Sequence, residues 1–130
     1  MEINEKIKYW VDLAEYDLET ARAMLDTKRY LYVGFMCHQV IEKSLKAYYV
    51  KIINQPPPFT HNLRFLCDIT GLAKEIDNSI LLFLSELQPL NIEGRYPTYK
   101  DTIFNLLTKE KCESLIEKTE DLFKWIKQKL

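Results

Sequence analysis

Apolar residues recur every three or four positions in the first part of the chain, as in an amphipathic helix. The pattern predicts a first helix over about residues 4–26, with Asp17 beside its apolar stripe. A carboxylate in that position needs a partner or water, because burying an unpaired charge is costly. The stripe consists of Ile7, Trp10, Val11, Ala14, Leu18, Ala21 and Leu25.

A second helix is predicted over about residues 30–53, with apolar residues around most of its circumference. Such a helix is normally central and covered by its neighbours. It nevertheless carries polar side chains at helical spacing, which we call the polar ridge: His38, Gln39, Glu42, Lys43 and Lys46. Three interpretations remain open. The ridge is a structural network, in which Asp17 contacts Lys43 or His38, or a cleft that receives a phosphate or a base, or a face simply exposed to solvent.

Three consecutive prolines in "NQPPPFT" end the second helix, because proline cannot continue it. Thr60 is then expected to cap a short third helix over "HNLRFLCDIT". His61 follows that cap, where the helix N-terminus disfavours a positive charge on the ring. We therefore expect His61 to be a neutral structural histidine.

The remaining sequence predicts two further helices, one over about residues 72–90 and one beginning after Thr108. The segment 91–107 between them is predicted to be irregular and to pack on the bundle through its aromatic residues. No strand pattern of period two occurs. The sequence therefore predicts an all-α fold, an up-and-down bundle of four to five helices in one domain over residues 1–130.

Composition narrows the classes of function. The formal net charge of −1 argues against a protein that mainly coats nucleic acid, but leaves room for a local basic site. Cys37, Cys67 and Cys112 are far apart, which favours buried thiols in a reducing cytoplasm over a metal site. No apolar run reaches the length of a signal peptide or a membrane span. We expect a cytoplasmic protein without metal, cofactor or membrane contact.

Three stretches in a fixed order resemble a known family. They are "YWVDLAEYDLETARAML", then "YLYVGFMCHQVIEKSLKAYYV", then "HNLRFLCDITG" followed by "EGRYP". Together they resemble the HEPN domain, named for nucleotide binding in higher eukaryotes and prokaryotes. The resemblance covers nearly the whole chain. It implies a bundle of four or five helices, similar to nucleotidyltransferase substrate-binding domains and commonly a homodimer.

The resemblance also implies an activity that the chain's own residues do not support. HEPN proteins often occur with a minimal nucleotidyltransferase in toxin–antitoxin or defence systems. Many are metal-independent ribonucleases that use an arginine, four to six intervening residues and a histidine. Here Arg95 is followed at those spacings by Lys100, Asp101 and Thr102, and no other arginine has a suitably spaced histidine. None of the three replaces imidazole as a base at neutral pH, so the sequence favours a non-enzyme.

Three functions therefore remain open. The first is a non-catalytic or weakly active nucleotide- or RNA-binding module, a homodimer that works with a separately encoded minimal nucleotidyltransferase. In it Lys43, Lys46 and Arg95 would neutralise a phosphate, and Tyr96 would stack on a base. The second is a metal-independent ribonuclease with a rearranged site, in which His38 is the base and Arg95 stabilises the phosphorane. The third is an antitoxin or scaffold that binds only protein.

One further alternative concerns the loop itself. Arg95 and Tyr96 precede Pro97 in the segment predicted to be irregular. The guanidinium either anchors this loop on a carboxylate, such as Asp17 or Glu42, or clamps a phosphate.

Overall fold

The computed structural model describes the backbone of residues 2–91 and 97–130 and the side chains of residues 2–91 and 101–130. Every regular element in these ranges is a helix, which confirms the predicted all-α fold class. Two one-turn 3-10 helices, Leu72–Lys74 and Gln88–Leu90, flank the fourth α-helix. The α-helices of the described residues are Ile3–Asp26 (α1), Tyr30–Ile53 (α2), Leu63–Thr70 (α3), Asn78–Leu87 (α4), Pro97–Leu106 (α5) and Lys109–Lys127 (α6).

Helix α2 lies at the centre of the bundle, as its apolar circumference predicts. It packs against α1 along most of its length and contacts α3 and α6 on its other sides. Cys37, Val40 and Ile41 have no exposed surface. Because neighbours cover nearly every face of α2, its polar side chains are also drawn into the bundle.

Gly34 lets two leucines from later in the chain, Leu90 and Leu107, pack closely on the N-terminal half of α2. A Cβ atom at this position would lie 3.0 Å from Leu107 Cδ1 and 3.3 Å from Leu90 Cδ1. Both distances are shorter than an ordinary van der Waals contact. The missing side chain therefore gives the two leucines room to pack on the backbone of α2.

The third helix begins later than the sequence predicts. Asn62, rather than Thr60, is its N-cap, and the Asn62 side chain accepts a hydrogen bond from Phe65 N at 3.0 Å. Thr60 Oγ1 instead accepts a hydrogen bond from Asn62 N, at 3.1 Å. His61 thus precedes the helix rather than forming its first turn.

The predicted single helix over residues 72–90 is wrong in its extent. Asp77 has extended backbone angles and caps α4, accepting a hydrogen bond from Ile80 N at 3.0 Å. A capping residue lies outside the helical region, so one helix cannot run through it. The prediction that residues 91–107 are irregular is also wrong for Pro97–Leu106, which is helical. Proline is tolerated at the first position of a helix, which is where Pro97 stands.

The three cysteines are buried free thiols. Burial raises the pKa of Cys37 and Cys67 to about 12, and that of Cys112 to about 11. They therefore stay protonated at neutral pH and act as small apolar side chains. No described helix combines the length and the apolar character needed to cross a bilayer.

Candidate functional site

The polar ridge is buried rather than solvated. His38 has no exposed surface, and Gln39, Glu42 and Lys46 are buried as well. Lys43 is the most accessible cation of the ridge, with its side chain 21% exposed. Because a buried charge is tolerated only when it is paired, the partners of these groups determine what the site can do.

Helix α1 supplies the partner of Lys43. Lys43 Nζ donates a hydrogen bond to Asp17 Oδ2 at 2.5 Å. Asp17 lies beside the apolar stripe that packs on α2, so its carboxylate is carried into the α1–α2 interface. The pair neutralises both charges at the edge of the bundle.

Glu42 accepts hydrogen bonds from two directions. Lys46 Nζ, one turn further along α2, lies 3.1 Å from Glu42 Oε2 and 5.6 Å from the centroid of the Trp10 ring. His61 Nδ1 lies 2.7 Å from Glu42 Oε1. An ionised carboxylate only accepts hydrogen bonds, so Nδ1 of His61 carries the proton. Three side chains from α2 and the loop before α3 thus form one charged cluster.

The ring of His38 lies behind this cluster. Its Nε2 is 3.0 Å from the backbone oxygen of His61, which only accepts, so Nε2 carries a proton. Its Nδ1 is 3.2 Å from Gln39 Nε2 and, in the neutral ring, accepts from that amide. The ring is fully buried and both nitrogens are engaged. A general base must reach the proton it removes, and this arrangement holds His38 away from any external substrate.

His61 is the chemically accessible histidine, although the sequence assigned it only a structural role. Its side chain contacts Glu42 and is still 52% exposed to solvent. Its backbone oxygen accepts hydrogen bonds from His38 Nε2 and from Gln88 Nε2, each at 3.0 Å. The contact between His61 and Glu42 bridges 19 residues across the proline loop. No local periodicity predicts a contact of that kind.

Two residues of the predicted phosphate site, Arg95 and Tyr96, lie outside the described residues. Lys43 and Lys46 are both described, and each is paired with a carboxylate. In the described part of the chain, no three His, Cys, Asp or Glu side chains are grouped to hold a metal ion.

A cavity of about 560 Å³ lies between α4 and α6, and no residue of the polar ridge lines it. Its apolar walls are formed by Ile80, Leu82, Phe83, Leu122 and Trp125.

The fold and the sequence were compared with those of known proteins. The fold is similar to that in the crystal structure of TT1696 from Thermus thermophilus, with a TM-score of 0.77. The two chains are 18% identical, and the match covers 96% of this chain and 98% of the other. No curated protein matches the chain. The family model of the HEPN domain matches residues 7–129. The resemblance seen in the sequence is thereby confirmed, and the chain belongs to the HEPN domain family.

Proposed function

We propose that the chain is a nucleotide- or RNA-binding HEPN module that binds its ligand without cleaving it. Membership of a family named for nucleotide binding supports the first part. The burial of the histidine in the polar ridge supports the absence of cleavage. His38 is buried with both ring nitrogens in hydrogen bonds, so it is not available as the base of the rearranged His38/Arg95 site.

The charges of the ridge indicate which residue governs affinity. Asp17 offsets Lys43, and Glu42 offsets Lys46, so the described cluster has little net charge of its own. The proposal therefore assigns the affinity for phosphate to Arg95, a further cation that lies outside the described residues. Lys43 is exposed enough to contact the phosphate, whereas Lys46 contributes through its field from inside the bundle. Tyr96 is placed in the proposal as the stacking partner of a base.

Titration with ATP, GTP and a short RNA at low salt tests this site. We expect weak binding by the wild type and a loss of about ten- to a hundred-fold in Arg95→Ala, the worth of one charge-assisted hydrogen bond. Arg22→Ala is the matched control. It removes the same charge from the α1–α6 side, where Arg22 pairs with Glu120. Absence of binding, or equal loss in both variants, contradicts the proposal.

Cleavage is tested separately by incubating the same RNA with the wild type in metal-free buffer. We expect the RNA to stay intact while it is bound. Metal-free cleavage that disappears in His38→Ala would replace this proposal with the rearranged ribonuclease, and cleavage that disappears in His61→Ala would also contradict it, with the exposed histidine as the base.

The same proposal includes the partners. We infer a cytoplasmic homodimer that associates with a separately encoded minimal nucleotidyltransferase, as in a toxin–antitoxin pair. The family resemblance supports this inference. Co-expression with a neighbouring nucleotidyltransferase gene, followed by pull-down and intact-mass measurement, reports both association and modification. Association without any nucleotide or RNA binding would identify a scaffold or antitoxin that binds only protein.

A further inference from the structure

Three hydrogen bonds hold His61 in place, although its side chain is half exposed to solvent. Its ring is fixed by Glu42 at 2.7 Å, and its backbone oxygen is fixed by His38 and Gln88 at 3.0 Å each. Gln88 also accepts a hydrogen bond from Leu63 N at 2.8 Å, which ties the loop to the start of α3. The imidazole is therefore presented to solvent in a defined orientation, because both its anchor and its backbone are immobilised.

The protonation pattern follows from these contacts. Glu42 is an acceptor, so the His61 proton resides on Nδ1 and the lone pair resides on Nε2. In the described part of the chain, His61 Nε2 makes no hydrogen bond. A carboxylate behind Nδ1 stabilises the positive charge that develops when Nε2 donates its lone pair. Lys46 pairs with the second oxygen of that carboxylate and so holds it in position.

We propose that His61 Nε2 is a phosphoryl-acceptor site for small phosphoramidate or acyl phosphate donors. The Nε2 lone pair forms a new bond to phosphorus. The bond from phosphorus to the donor's nitrogen or oxygen breaks, and the leaving group departs with that electron pair. The Nδ1 proton stays in place, facing Glu42, while the ring becomes cationic. No metal, oxidant or second substrate is needed for this transfer.

The chain contains an internal control. His38, its second histidine, is fully buried and uses both ring nitrogens in hydrogen bonds. It is therefore expected to remain unmodified in the folded protein. An unstructured histidine also reacts with the donor at some rate. A peptide of residues 58–64, which contains His61 without the fold, therefore serves as the reference for the rate of phosphorylation.

The test uses the intact protein and potassium phosphoramidate, followed by intact-mass measurement and fragment mapping. We expect one acid-labile phosphoryl group, on His61. It should form at least about tenfold faster than on the peptide, because the hydrogen bond to the charged Glu42 carboxylate stabilises the cationic ring by about that factor. Glu42→Gln is expected to slow the reaction to the rate of the peptide. Equal rates for protein and peptide, an unchanged rate in folded Glu42→Gln, or modification at His38 would overturn the proposal.

A measurement on the wild type keeps the proposal testable if Glu42→Gln does not fold. Long-range nitrogen–proton spectra of the ring nitrogens distinguish the two neutral tautomers. We expect the proton on Nδ1 in His61 and on Nε2 in His38. A proton on Nε2 of His61 would leave no lone pair toward solvent and would refute the assignment.

Discussion

At Glu42 a single carboxylate satisfies two donors, Lys46 from the same helix and His61 from the loop before α3. Its loss would remove the carboxylate that pairs with Lys46, whose side chain is only 8% exposed. We expect Glu42→Ala to lower the free energy of unfolding by about 3–5 kcal/mol, the usual cost of breaking a buried ion pair from one side. Urea unfolding followed by circular dichroism measures the loss.

Asp17→Ala is the natural comparison for that variant. It also removes one partner of an ion pair, but Lys43 is more exposed than Lys46 and can turn toward water. The expected loss is smaller, about 1–3 kcal/mol. If Asp17→Ala proves more damaging than Glu42→Ala, burial is not what sets the cost in this cluster.

The buried thiols give stability a dependence on alkaline pH. Burial raises the pKa of Cys37 and Cys67 to about 12, from an ordinary value of 9.0. The folded state therefore keeps protons that the unfolded chain releases, so this stabilisation is complete below about pH 9 and is lost as pH rises toward 12. For each thiol the free energy of unfolding should fall by up to about 1.4 kcal/mol per pH unit in that window.

Urea unfolding in reductant at neutral pH and near pH 10 measures this slope. Cys67→Ala removes one of the two thiols and should make the slope shallower, which separates the thiols from other groups that titrate at alkaline pH. The same slope in both proteins would show that Cys67 does not contribute.

At the level of single helices, side-chain caps define where the shorter elements begin. Thr108 has extended backbone angles, and its side chain accepts a hydrogen bond from Lys111 N at 3.2 Å, at the start of α6. We expect Thr108→Ala to lower the free energy of unfolding by about 1 kcal/mol. Thr20→Ala is the control, because Thr20 is half-buried within α1, where its hydroxyl donates to Tyr16 O and caps no helix. Equal effects of the two variants would mean that the cap at Thr108 does not stabilise α6.

The elements differ in how far the sequence predicts them. Helices α1, α2 and α6 have long periodic patterns, and their structural limits lie close to the predicted ones. The predictions are wrong for the extent of α4 and for the presence of α5, because caps and prolines are ambiguous signals. Asp77 reads as one polar residue in a helical pattern until its backbone is seen to be extended. Pro97 reads as a helix breaker, yet it is the first residue of α5.

At the scale of the whole molecule, the bundle leaves several large apolar side chains in solvent. Single exposed residues of this kind are normal, but a larger set suits an interface between copies. We expect sedimentation at micromolar concentration to show a species of twice the 15.5 kDa chain mass. A species of 15.5 kDa alone under those conditions would exclude the homodimer. The exposed set includes Phe59, Leu82, Phe104 and Leu106.

The candidate site is likewise predicted from the sequence only in part: helical spacing predicts the ridge, but not its contacts with distant residues. The helical spacing of His38, Glu42 and Lys46 is a property of α2 alone, so the ridge can be recognised in the sequence. The sequence does not predict that His61 joins the ridge, because its contact with Glu42 depends on how the proline loop returns across α2. Arg95 and Tyr96 lie outside the described residues and keep the roles proposed for them above.

The all-α class, the central place of α2, the resemblance to the family and the polar ridge on an apolar helix can all be predicted from the sequence alone. These follow from periodicity and residue order, which are local. Tertiary packing determines the long-range pairs, because Lys43 pairs with Asp17 across 26 residues and Glu42 pairs with His61 across 19 residues of the chain. It also decided which histidine is accessible. Packing buries His38 and hydrogen bonds occupy its ring, whereas the turn before α3 orients His61 toward solvent.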